Sequence, residues 1–147
     1  MADEPPLPRI LVDDRQDAPV PLEALIAVAR ETLLGEGVRG SELSLSFVGE
    51  DEIAQLHETY MHEAGPTDVL SFPLDEDDVD EDGVRVLGDV VIAPAVAERN
   101  NPSDRDGELR LLVVHGVLHL LGHDHLDDDD RAEMWSRQER YAGVHVP

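Results

Sequence analysis

The sequence contains no cysteine and no lysine among its 147 residues. The absence of cysteine excludes disulfides and thiolate metal sites, so any bound metal ion must be held by histidine and carboxylate side chains. The first residues include neither a basic segment nor a long apolar stretch. We therefore expect no signal peptide and no membrane span, and a cytoplasmic location.

The charge balance is strongly acidic. All 11 basic residues are arginine, against 34 acidic residues, and the formal net charge is −23. Such a charge favours solubility but opposes compactness through self-repulsion. A high-salt cytoplasm would screen the repulsion, because the Debye length falls to about 3 Å at 1 M salt; acidic drift of the surface is the alternative. The apolar content of 41% argues against a disordered acidic protein.

The alternation of apolar patterns predicts one α/β (α+β) domain over residues 1–147, with residues 1–6 frayed. We expect about four strands in a mixed sheet and about five helices. The strands are predicted at 8–12, 43–48, 68–72 and 84–93, four helices at 21–34, 50–60, 108–121 and 127–141, and a polar linker at 100–107. The helix at 108–121 is apolar on almost every face, which predicts that it lies buried at the centre of the fold.

Four of the seven histidines lie in the segment HGVLHLLGHDH, residues 115–125. Residues four apart share one face of a helix, so His115 and His119 can bind the same ion. Gly122 can end the helix and turn the chain so that His125 reaches the same point; His123 is expected to point elsewhere. Three imidazoles leave one tetrahedral position open, which is typical of catalytic rather than structural Zn²⁺. Ni²⁺ or Cu²⁺ would also accept these ligands.

The arrangement differs from the metzincin protease motif HExxHxxGxxH at a decisive position. Those enzymes carry a glutamate after the first histidine as general base, whereas this chain has Gly116. Glycine cannot accept a proton, so peptidase activity by that mechanism is disfavoured.

Three motifs in order give the chain a resemblance to the YbeY endoribonucleases, the rRNA maturation factors of bacteria. They are HGVLHLLGHDH, GPTDVLSFP at 65–73 and LGDVVI at 87–92, and the match runs from about residue 43 to 141. The resemblance implies a single domain with a metal ion in a cleft, and zinc-dependent cleavage of single-stranded RNA. It also implies roles in 16S rRNA 3′-end maturation and ribosome quality control, with the small ribosomal subunit and its associated proteins as partners. His115, His119 and His125 occupy the family's metal-ligand positions.

Further site residues follow from the same motifs. Asp124 is a candidate for orienting a ligand imidazole through a hydrogen bond. Capping or contact with solvent is the alternative role. Thr67, Asp68 and Ser71 are candidates for substrate binding, or they shape the turn into the third strand.

The family pattern is broken at Met61. Many members carry an arginine five residues before the proline of the PTDVLSF motif, and here that position is methionine. A methionine cannot neutralise a phosphate, so either another arginine serves or the rate is low; Arg85 and Arg99 are nearby in the chain.

The acidity conflicts with RNA binding, because lysine and arginine contacts to phosphate normally supply much of the affinity. Two other functions remain open. One is a metal-dependent hydrolase of a small or peptide substrate, which predicts a carboxylate over the metal. The other is a non-catalytic ribosome assembly factor with a structural metal, which predicts a fourth protein ligand.

Overall fold

The computed structural model describes residues 6–63, 65, 67–74, 79, 81, 83–123 and 128–143, except for the side chain of Asp128. The predicted fraying of residues 1–6 falls mainly outside these ranges, and the carbonyl of Pro6 accepts a hydrogen bond from the backbone N–H of Gly40. The described residues form four strands and five helices of one α+β domain. In chain order they are β1 (Arg9–Asp14), α1 (Leu22–Gly35), β2 (Ser41–Phe47), α2 (Glu50–Met61), β3 (Val69–Pro73), β4 (Arg85–Ile92), α3 (Pro94–Asn100), α4 (Arg105–Leu120) and α5 (Asp128–Ala142).

The strands form a mixed sheet in the order β1-β2-β4-β3, which confirms the predicted four-stranded mixed sheet and five helices. β1 and β4 both run parallel to β2, and β3 pairs antiparallel with β4 at the edge. Residues in β2 alternate between the two faces of the sheet. Leu43, Leu45 and Phe47 are buried on one face, and Ser44 and Ser46 lie on the other.

α4 lies at the centre of the fold, as its all-round apolar pattern predicts. It packs against α1, α3, α5, β3 and β4. Most of its side chains are buried, and each fully buried Val or Leu contributes about 1.5–3 kcal/mol. α2 covers part of the opposite sheet face, where Ile53, Leu70 and Val91 belong to a second apolar cluster. No helix in the described part of the chain has both the length and the apolar character needed to cross a membrane.

The predicted polar linker at 100–107 is wrong at both ends. Pro94 starts the short helix α3, which extends to Asn100, and α4 begins at Arg105 rather than at residue 108. Proline suits a first helical turn because its missing N–H would have no partner there. Asp104 caps α4, since its side chain accepts a hydrogen bond from the N–H of Gly107 at 3.0 Å. Gly107, which is typical of a loop in the sequence, therefore lies in the capped first turn of α4.

Gly116 lies where α4 packs closely against the sheet. A Cβ atom added there would lie 2.4 Å from Cγ1 of Val90 in β4, closer than real Cβ contacts come. Val90 is fully buried and its branched side chain has little freedom to move. A glutamate at position 116, as in the metzincins, would collide with β4, so the packing of this helix excludes the protease motif.

Candidate metal centre

His115 and His119 lie side by side on α4, one turn apart. Their ring centroids are 4.5 Å apart and the ring planes meet at 65°. Both side chains are partly exposed at a cavity of about 260 Å³ between α4 and the edge strand β3, which we call the histidine cleft. An imidazole pair at this spacing on one helix face can share a metal ion.

Gln138 of α5 lies behind His115. Its Oε1 is 2.5 Å from Nδ1 of His115, and the Gln138 side chain is only 2% exposed. A carbonyl oxygen can only accept, so Nδ1 is the donor in this contact, and in the neutral ring Nε2 is then the nitrogen with the lone pair. Metal-binding histidines usually have such a partner on the second nitrogen. No sequence pattern points to Gln138, because it lies 23 residues from His115 on a different helix.

The three residues predicted for substrate binding are not brought together. Ser71 lines the histidine cleft, and its hydroxyl donates to the carbonyl of Gly116 at 3.2 Å, which ties β3 to α4 between the two histidines. Asp68 lines a neighbouring cavity, and its Oδ2 accepts from Nδ2 of Asn100 at 3.3 Å. Thr67 lines neither cavity.

Met61 lines the histidine cleft, so the position at which the family resemblance predicts an arginine lies at the same cavity as the two imidazoles. Neither Arg85 nor Arg99 lines this cleft, and Arg99 forms an ion pair with Glu50. Several other arginines are also paired with acidic neighbours: Arg9, Arg15, Arg105 and Arg137. The arginines are therefore scattered, and none of the described ones contributes to the lining of the cleft.

The Glu36 carboxylate is the shared partner of three side chains beside the turn that follows α4. Its Oε1 lies 2.8 Å from Nε2 of His123, while Arg137 and the hydroxyl of Tyr141 bind its Oε2 at 2.5 and 2.6 Å. Burial alone would raise the pKa of Glu36, but the hydrogen bonds from Tyr141, His123 and Arg137 outweigh it and lower the pKa. His123 thus points to Glu36, in agreement with its exclusion from the predicted ligands.

His125 and Asp124 lie outside the described residues. Within those residues, no group of three or more histidine, aspartate or glutamate side chains is arranged to hold a metal ion. The two imidazoles on α4, with Gln138 behind one of them, are suitable donors for Zn²⁺. Metal binding by His115, His119 and His125 stays a prediction.

The family model and the relatives that match this chain carry the same description. A family model described as Endoribonuclease YbeY matches residues 12–143. The chain is 50% identical to the protein of that name from Acidothermus cellulolyticus, over 67% of this chain and 66% of the relative. It is 46% identical to the one from Frankia alni, over 68% and 61%. The match therefore spans just under two thirds of these two relatives, but the one from Streptomyces griseus is 41% identical over 86% of this chain and 84% of its own length.

The fold also has a counterpart among solved structures. The solution structure of TM1509 from Thermotoga maritima is 30% identical, with a TM-score of 0.59, over 92% of this chain and 86% of that one. The likeness extends over nearly the whole chain.

Proposed function

We propose that this chain, which belongs to the YbeY endoribonuclease family, is a metal-dependent endoribonuclease that cleaves single-stranded RNA. In this proposal it acts in the cytoplasm on the small ribosomal subunit. It matures the 3′ end of 16S rRNA and takes part in ribosome quality control with proteins bound to that subunit.

The observation that carries this proposal is the imidazole pair of His115 and His119 in an open cleft, with Gln138 behind His115. We assign Zn²⁺ as the cofactor, with Ni²⁺ as an alternative, and His125 as the third ligand. When bound, the ion supplies a Lewis acid for the scissile phosphate. Its charge matters more than usual here, because the described residues lining the cleft include no arginine.

The protein's own groups position the site. Gln138 fixes the tautomer of His115, and Ser71 holds β3 against α4 at the level of the two histidines. Val69 and Leu70 make one wall of the cleft apolar, which strengthens electrostatic interactions inside it. Position 116 carries no carboxylate and has no space for one, which disfavours the alternative of a peptidase.

The direct test is RNA cleavage by the full chain purified in high salt, with bound metal quantified. We expect about one metal ion per chain and cleavage of single-stranded rRNA fragments at least about tenfold faster than the same fragments annealed to a complement. A protein without stoichiometric metal, or with equal rates on both substrates, would contradict the proposal.

Replacement of Gln138 by leucine is expected to weaken metal binding about 10–100-fold, the usual effect of losing the partner behind a ligand histidine. The affinity is measured by competition with a chromogenic chelator, and circular dichroism checks that the fold persists. Gln138→Glu is the matched control, because a carboxylate retains the acceptor and should keep the affinity within severalfold. An unchanged metal affinity in Gln138→Leu would mean that Gln138 contributes packing and does not orient His115.

Introducing an arginine at Met61 is expected to raise the cleavage rate up to about tenfold, since a guanidinium in the histidine cleft can stabilise phosphate charge. Single-turnover cleavage of a single-stranded RNA measures the effect. Thr59→Arg adds the same charge at an exposed position of α2 outside the cleft lining. If the cleavage rate rises equally in both variants, the increase reflects overall charge and not the position of Met61.

A further inference from the structure

A second cavity of about 210 Å³ adjoins the histidine cleft, and His115 lines both. Its walls come from the start of β3, from α4 and from α5. Val69, Leu111 and Leu112 make part of it apolar, and Trp135 contributes an aromatic ring. We call it the Trp135 cavity. Its position means that a group bound there would be directly beside the predicted metal ligands.

Two carboxylates, Asp68 and Glu108, also line the Trp135 cavity. The Glu108 carboxylate forms no hydrogen bond or ion pair with another described residue, whereas the backbone N–H of Glu108 donates to the carbonyl of Asp104. Burial, and then the charges of Asp68 and Asp104, raise its pKa. Carboxylate oxygens that are half-buried against apolar walls are stabilised by hydrogen-bond donors. A ligand that fits this cavity must therefore present donors.

Trp135 and Arg131 add an aromatic ring and a neighbouring cation to this region. Trp135 is the only tryptophan of the chain, and the guanidinium carbon of Arg131, one helical turn earlier on α5, lies 5.4 Å from the ring centroid. Proteins that bind single-stranded RNA stack bases on aromatic side chains and contact phosphates with arginine. Trp135 lines the cavity next to His115, and Arg131, which does not line it, lies against the Trp135 ring.

We propose that the Trp135 cavity is a base-binding subsite that prefers guanine, and that a base seated there directs its flanking phosphate towards the histidine cleft. Guanine is favoured because its N1–H and N2 amino group are adjacent donors that one carboxylate accepts together. Adenine and cytosine offer an amino group beside an acceptor nitrogen. Uracil offers a single N–H between two carbonyl oxygens that the carboxylates repel. The assignment to RNA rests on the proposed function; the preference for guanine rests on Asp68 and Glu108.

The test uses the fluorescence of Trp135, which needs no added label and no catalytic activity. The full chain is titrated with GMP, AMP, CMP and UMP. We expect GMP to change the emission and to bind at least about tenfold more tightly than UMP, as expected for two hydrogen bonds to a charged group. Equal affinity for the four nucleotides, or no binding, would overturn the subsite.

Glu108→Gln and a matched control identify the residue responsible. Glu108→Gln should abolish most of the preference for GMP. Asp106→Asn removes the same charge from the same end of α4 at an exposed residue that does not line the cavity, and should leave the preference intact. Equal losses in both variants would mean that total charge, and not a contact, sets the preference, and would overturn the proposal.

Cleavage measured in parallel separates this inference from the proposed function. A protein that cleaves single-stranded RNA but shows no guanine preference in binding retains the function and loses the subsite. A protein that binds GMP through Glu108 but cleaves no RNA loses the function and retains a guanine site.

Discussion

His119→Ala is expected to lose stoichiometric metal and to cleave single-stranded RNA more than about 100-fold more slowly than the wild type. Loss of a partner behind a ligand histidine alone costs about 10–100-fold in affinity or activity, and removing the ligand itself should cost more. The side chain is partly exposed at the cleft, so its truncation leaves the core of α4 intact. Metal content by elemental analysis and cleavage rates on one RNA preparation measure the two effects together.

A surface histidine provides the control. His62 is exposed at the end of α2 in a left-handed conformation, which asparagine tolerates, so His62→Asn removes an imidazole without affecting the cleft. This variant should match the wild type in metal content and rate. Equal cleavage by His119→Ala and wild type would refute metal catalysis. Loss of cleavage with unchanged ribosome maturation would instead favour the assembly factor with a structural metal.

Glu36→Ala is expected to reduce the free energy of unfolding by about 3 kcal/mol, because it leaves the partly buried ends of Arg137, His123 and Tyr141 without their shared partner. The Glu36 side chain is only 7% exposed. Since one kcal/mol corresponds to roughly 2–4 °C in a domain of this size, Tm should fall by about 6–12 °C. Differential scanning calorimetry at pH 7 measures the shift.

Glu31→Ala is the matched control, since Glu31 is an exposed carboxylate on α1, the helix that ends one residue before Glu36. Its Tm should stay within about 2 °C of the wild type. The pKa of Glu36 is lowered by folding, so its stabilisation is present above the ordinary value of 4.5 and disappears as the pH falls through the lowered pKa. The Tm difference between Glu36→Ala and wild type should therefore shrink below about pH 4.5. A difference that persists unchanged in acid would mean that packing, not charge, accounts for it.

Much of the fold could be predicted because the patterns are local. The alternation in β2 and the all-round apolar character of α4 identify a half-buried strand and a central helix without any tertiary information. The missed helix α3 shows the limit, because seven residues beginning with Pro94 form too short a segment for a helical period to be distinguished from the end of a strand. The early start of α4 was missed because Gly107 is typical of loops, although Asp104 three residues before it carried the capping signal.

The candidate site was predictable only in part, for a similar reason. The pairing of His115 and His119 follows from helical spacing, and the structure brings their rings together. Gln138 and Glu36 could not be found, since their partners lie 23 and 87 residues away and no pattern links them. Glu108 likewise looked like an ordinary residue near the start of a helix. Its environment depends on Asp68, which directly precedes the edge strand β3 and is 40 residues away in the chain.

The strand order has a consequence for how the protein folds. Ser71 on β3 and Gly116 on α4 are 45 residues apart in the chain, and β3 takes its place only by pairing with β4, which in turn pairs with β2. The contact order of the cleft is therefore high, and the entropy of closing these loops must be overcome before β3 and α4 meet. An isolated α4 peptide would carry both histidines but neither Ser71 nor Gln138. A chain that lacked β3 or α5 would therefore contain the two histidines of α4 without the groups that assemble the cleft around them.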